Sequence, residues 1–172
     1  MAIQGKFVID NAPLSPLVMY GVGSFMAFSG DNIYRNRAGC TKIVNQGPIP
    51  AGRYWIVDRP TGGFASQISA SVRDALVSPL TSPIHRSEWF ALYCDDGQID
   101  DHMWVEGVKR GNFRLHPKGG AGVSFGCITL QSYSDFQNVR RALLHTSTVP
   151  AGDSGLPAYG WIEVIAHGNT CP

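Results

Sequence analysis

The chain has 172 residues and a formal net charge of +1, which suits one domain with a sizeable core. So small a charge speaks against nucleic acid as the main partner, because phosphate binding shows as a strong basic excess. Twenty glycines and eleven prolines point to a loop-rich β architecture rather than a helical bundle. No apolar run approaches the roughly 20 residues that a membrane-spanning helix needs.

Met1 to Asp10 lacks the long apolar stretch and small-residue cleavage site of a secretory signal, so none is expected. Lys6 to Asp10 alternates polar and apolar residues and predicts a first strand. Two prolines in Asn11 to Pro16 predict a turn. Met19 to Ser29, rich in glycine and aromatic residues, reads as a packed hairpin that breaks at Gly30-Asp31-Asn32. Pro48 and Pro50 cannot donate to a ladder and so precede a strand, which Gly52 releases over Arg53 to Val57. Ala65 to Leu76 places Ile68, Val72, Ala75 and Leu76 on one face and predicts a helix. Trp89 to Tyr93 predicts a buried strand, Cys94 to Gly97 a tight turn, and Met103 to Val105 a short strand. Ser134 with Gln137 fits a capping box opening a helix whose apolar face is Phe136, Val139 and Leu143, ending near His145. Trp161 to Ile165 is a final strand, and the tail after His167 is expected to fray. The fold class is mainly β with two or so helices, one domain over residues 1–172, with 60–105 a candidate capping insertion.

Chemistry concentrates between Phe113 and Leu130. An apolar strand ends at His116, a Gly-rich connector follows, and Cys127 stands between Gly126 and Ile128. A thiol is a useful nucleophile only as the thiolate, so a base must come within hydrogen-bond reach. Two strands joined by that connector would bring His116 to Cys127. The four cysteines, Cys40, Cys94, Cys127 and Cys171, show no Cys-x-x-Cys spacing. With Cys127 free, at most one disulfide forms among the other three, and the pair is left open. Asp95, Asp96, Asp100 and Asp101 beside His102 do not follow the order of a calcium loop and read as a solvated turn. His85, His145 and His167 read as structural, and no metal or cofactor is expected.

Gly47-Pro-Ile-Pro-Ala-Gly-Arg-Tyr-Trp-Ile56, together with His116, ten intervening residues and Cys127 within Ser124-Phe-Gly-Cys-Ile-Thr-Leu130, resembles the L,D-transpeptidase superfamily. The Phe-Arg-Leu-His-Pro and Ser-x-Gly-Cys-Ile pieces are closer to a branch of antibacterial effectors delivered by the type VI secretion system, as is Phe25 to Gly30. The resemblance implies an L,D-transpeptidase-like β-sandwich. It also implies attack on peptidoglycan stem tetrapeptides in a rival's periplasm, between the L-centre of diaminopimelate and the terminal D-alanine. Water as acceptor gives an L,D-carboxypeptidase, and a free D-amino acid gives an exchange reaction. Synthesis in the cytoplasm without a signal peptide, delivery by a secretion apparatus and a cognate immunity protein follow from the same likeness. The sequence departs from the superfamily at Phe125, where histidine is usual, and at Thr129, two places after the cysteine.

In this reading Cys127 is the nucleophile and His116 the base. Gly126 admits the substrate carbonyl and shares the oxyanion with the Cys127 amide, while Ser124 bonds either the loop or the substrate. Arg114 lies on the same strand face as His116 and is a candidate for a substrate carboxylate. Phe125 and Lys118 are further candidate substrate contacts. Two rival readings remain open: a papain-like cell-wall peptidase or amidase pairing Cys127 with His167, and a non-catalytic, disulfide-bonded wall-binding module.

Overall fold

The computed structural model describes residues 1–60, 86–119 and 124–172. Strands β1 (Ile3–Ile9), β2 (Ser15–Met19) and β3 (Gly23–Phe28) run as an antiparallel meander. β4 (Gly52–Asp58) pairs antiparallel with β5 (Phe90–Cys94). A separate hairpin of β6 (His102–Val105) and β7 (Val108–Gly111) leads into β8 (Arg114–Pro117), and β9 (Ile128–Leu130) follows. Helix α1 (Tyr133–His145), the short β10 (Val149–Pro150) and the long β11 (Pro157–Ala166) complete the chain.

The sheet order is β1-β2-β3-β9-β8-β5-β4-β11, and β11 pairs back onto β1, so eight strands close into a barrel with β10 attached outside the ring. The expected mainly β class therefore holds, and its sheets form one surface whose closure removes the free edges of these strands. Two pairs are parallel, β1 with β11 and β8 with β9. Period-two alternation explains which side chains fill the interior. Along β11, Gly160, Ile162 and Val164 are buried while Trp161 and Glu163 face outward; an irregularity between Ala158 and Gly160 breaks the alternation, so Tyr159 packs on the main core and Ala158 joins the outer side. Phe7, Leu17, Ile56, Leu92, Leu115 and Ile128 join that interior from other strands. On the outer face of β4, Trp55 and Val57 build a second cluster with Ala91, Ala151 and Ala158, and Trp55 packs edge-on to Trp161 at 5.5 Å.

Helix α1 touches β8, β9 and β11, strands from opposite sides of the ring, so it lies across one end of the barrel. Phe136, Val139 and Leu143, the face expected from the sequence, enter the same core as Phe7 and Leu115. The cap is Ser132, not Ser134: its hydroxyl accepts from the Asp135 amide at 3.3 Å. Gln137 has a different partner from the one the capping box implied, donating to Glu88 Oε2 at 2.7 Å.

The C-terminal tail is tied down rather than frayed. Cys171 forms a disulfide with Cys40, and the Gly39 amide donates to the Thr170 carbonyl at 3.1 Å. The helix expected over 65–76 lies outside the described residues. Within the candidate capping stretch 60–105, β5 is a barrel strand and β6 is half of the separate hairpin.

Candidate active site

Strands β8 and β9 meet in parallel, with Leu115 opposite Ile128 and His116 opposite Thr129. Leu115 and Ile128 point into the barrel, so His116 and Thr129 share the outer face, and Arg114 and Cys127, two residues back on each strand, extend it. Ideal strand spacing puts the α-carbons of Cys127 and His116 on the order of 8 Å apart, within the combined reach of a thiol and an imidazole. The pairing inferred from sequence thus rests on adjacent strands.

His116 is fixed from three directions. Trp89 stacks on its ring at 4.2 Å with 20° between planes. Nδ1 lies 2.7 Å from the Pro117 carbonyl oxygen, and Nε2 lies 3.3 Å from Thr129 Oγ1. A carbonyl only accepts, so the ring proton sits on Nδ1 and Nε2 keeps its lone pair, towards which the Thr129 hydroxyl donates. Proline has no amide to offer, but its carbonyl fixes the tautomer that a general base needs.

Cys127 is a free, buried thiol. Sγ donates to the Asn112 carbonyl at 3.8 Å. Burial pushes the thiol up to about 11; the Arg114 amide and guanidinium and Arg110 oppose this, and Asp101 adds to it. At neutral pH the resting group is therefore the thiol, and it becomes a nucleophile only when its proton is taken.

The turn before Cys127 is built around Gly126. Its φ is +91°, and a Cβ there would stand 2.6 Å from Arg110 Nη2 and 3.0 Å from Phe113 Cε1. Both the left-handed backbone and the lack of room demand glycine. Ser124, almost fully buried, donates to the Cys127 carbonyl at 3.0 Å, which commits its hydroxyl to holding this turn. Phe125, two residues before Cys127, is 60% exposed. Lys118 is exposed, and its amide donates to the Leu130 carbonyl at 2.8 Å.

Arg114 makes a two-pronged ion pair, Nη1 and Nη2 each 2.7 Å from an Asp101 carboxylate oxygen. Any substrate carboxylate at Arg114 would share it with Asp101. Asp101 is accordingly no part of a solvated turn. Sequence reasoning also missed Trp89, Asn112 and Arg110. Trp89 and Arg110 act across distances in sequence that no local motif spans, and Asn112 acts through its backbone carbonyl, which any residue possesses.

The papain-like constellation does not assemble. Cys127 opens a strand rather than a helix. His167 follows β11, four strands from β9 in either direction around the ring. The disulfide joins Cys40 to Cys171 and leaves Cys127 free.

Against known families, the Tlde1 domain model matches residues 23–152, a span from β3 to the segment after β10 that includes His116 and Cys127. Comparison with curated proteins finds no match.

Proposed function

Since the chain belongs to the Tlde1 domain family of type VI secretion effectors that target peptidoglycan, we propose that it cleaves stem tetrapeptides through a Cys127 thioester. The observation that carries this reading is the shared outer face of β8 and β9, where His116, with its ring proton on Nδ1 and Nε2 as the acceptor, and the Cys127 thiol stand on adjacent strands. His116 Nε2 takes the thiol proton, exchanging its Thr129 contact for the sulfur. The thiolate attacks the diaminopimelate carbonyl, and the carbonyl oxygen gathers charge opposite the amides of Gly126 and Cys127. Losing one such donor typically costs about 2.7 to 4 kcal/mol of transition-state stabilisation. The C–N bond breaks, and D-alanine leaves with the proton that His116 returns.

Water then gives its proton to Nε2 and attacks the thioester, restoring the thiol and releasing a tripeptide. That route is an L,D-carboxypeptidase. A D-amino acid amine in place of water gives exchange instead. Phe125 sits where the superfamily usually carries histidine. It offers an apolar edge and no donor, which favours trimming or exchange over wall cross-linking. Phe125, two residues before the thiol, and Lys118, at the far end of β9 where its amide meets the Leu130 carbonyl, are the exposed candidates for substrate contact.

Delivery by a secretion apparatus and action in a target's periplasm imply a compartment-dependent toxicity. Expression in the cytoplasm is expected to be tolerated, and fusion to a periplasmic export signal is expected to kill unless Cys127 is replaced by alanine. Equal harmlessness in both compartments, or equal killing by the Cys127→Ala form, would count against a wall-directed cysteine enzyme.

A further inference from the structure

Arg110, at the end of the β6–β7 hairpin, is only 3% exposed. Its Nη2 donates to the Gly47 carbonyl at 3.0 Å, and its Nη1 donates to the carbonyls of Pro48, at 3.3 Å, and of Thr41. Among the described residues no carboxylate pairs with it. A guanidinium does not lose its proton in proteins, so among the described residues a full positive charge is buried against carbonyl dipoles and the face of Phe113, whose ring centroid is 5.3 Å from Cζ. Such a charge is expensive without a counter-ion.

The position of this charge gives it a use. The Nη2 atom lies where a Gly126 side chain would begin, directly against the turn that presents Cys127. The ionisable groups that act on Arg110 are Tyr54 and Cys127. Burial holds Tyr54 well above its ordinary range, so Tyr54 stays neutral. Three charged groups bear on the thiol: Arg114, Asp101 and Arg110. Arg114 and Asp101 largely cancel each other through their two-pronged pair. Among the described residues Arg110 is the cation left over, and the group there able to supply a negative charge to it is the Cys127 thiolate.

We propose that Arg110 is the built-in counter-cation of the Cys127 thiolate, a positioning residue held beneath the nucleophile's turn by the carbonyls of Thr41, Gly47 and Pro48. His116, on β8, removes the proton; Arg110 stabilises what remains. The thiol opens the reaction as a neutral group, and the charge that appears on sulfur lands beside a cation already desolvated and fixed. No reorganisation is needed at that moment, the condition under which electrostatic stabilisation is most effective. The same contact explains why the turn tolerates no side chain at residue 126.

The inference rests on Cys127 being the nucleophile, so the test reads the thiol itself and not wall cleavage. The rate of Cys127 alkylation by iodoacetamide is followed from pH 6 to 11, in the intact protein, by mass spectrometry of the Cys127 peptide. Arg110→Met is compared with Arg110→Lys, and folding is checked by thermal melting. An opposite charge within about 4 to 6 Å lowers an acid's pKa by about 1 to 3 units, and the Arg110 guanidinium lies against the residue next to Cys127. Arg110→Met should therefore shift the alkylation profile up by at least about one unit and slow the reaction about tenfold at fixed pH. Arg110→Lys, which keeps the charge, should stay within about threefold of the parent. Should Arg110→Met not fold, Arg110→Gln replaces it, keeping a donor for the Gly47 carbonyl without the charge. Profiles unchanged in the uncharged variants, or moved equally by lysine and by the neutral residues, would overturn the proposal. A parent Cys127 that resists alkylation at every pH would sink the nucleophile assignment instead.

Discussion

At the scale of single residues, the site separates what a short motif reveals from what only the fold assembles. His116, Gly126 and Cys127 lie within one stretch, and the chemistry of a thiol, a base and an unhindered turn is readable there. Arg110 was invisible because its partner Gly47 is 63 positions away in sequence and the contact runs through a backbone carbonyl, which carries no sequence signature. Burial also sets a pH dependence. Cys127 and Cys94 are both pushed up to about 11, chiefly by desolvation. An unfolded thiol titrates near about 8.5, so the fold favours the neutral form. The resulting stability is complete below that pH and is lost as pH rises towards the folded values. Thermal melting should therefore fall off between pH 8.5 and 11, more steeply for the parent than for a Cys94→Ser, Cys127→Ser double variant. Parallel curves for the two proteins would contradict the assigned burial effect.

At the scale of elements, most strands were legible because period-two alternation and aromatic or β-branched runs survive in β1, β4, β5 and β11. The β6–β7 hairpin was only half visible. Its turn uses Glu106 and Gly107, both at positive φ, where an Asn-Gly pair would have been the recognisable signal. The register of β8 against β9 could not be read from the sequence, since four-residue and three-residue strands carry too little pattern to fix a partner. The turn that feeds β9 is the element on which the site most depends. Gly126→Ala meets both a left-handed backbone and the Arg110 guanidinium, and should cost about 1 to 3 kcal/mol of stability, as strained positions do. Chemical denaturation checks this, and peptidoglycan-trimming activity should fall with it. An alanine variant as stable and active as the parent would show that the turn relaxes freely.

At the scale of the molecule, the barrel supplies a rigid wall and two long-range ties lock the site to it. Closure by the parallel β1–β11 pair brings chain ends together, which composition and periodicity do not encode. The Cys40–Cys171 disulfide then fastens the tail to the loop whose carbonyls hold Arg110. With a sequence separation of 131 residues, the chain-entropy relation assigns the cross-link about 5 kcal/mol at most. Cys171→Ser should lower Tm by roughly 10 °C for a chain of this size. It should also slow Cys127 alkylation by loosening the Thr41 to Pro48 cradle; a melting point indifferent to the bond would refute that tie. The central claim, that Cys127 forms a thioester with the stem peptide, is tested most directly by incubating purified tetrapeptide muropeptides with parent and Cys127→Ala protein and weighing the products by mass spectrometry. The parent should convert tetrapeptides to tripeptides with release of one D-alanine each, or exchange that residue when a D-amino acid is added, and the alanine variant, still folded, should do neither. Release of D-alanine by the folded Cys127→Ala protein at the parent's rate would contradict the account.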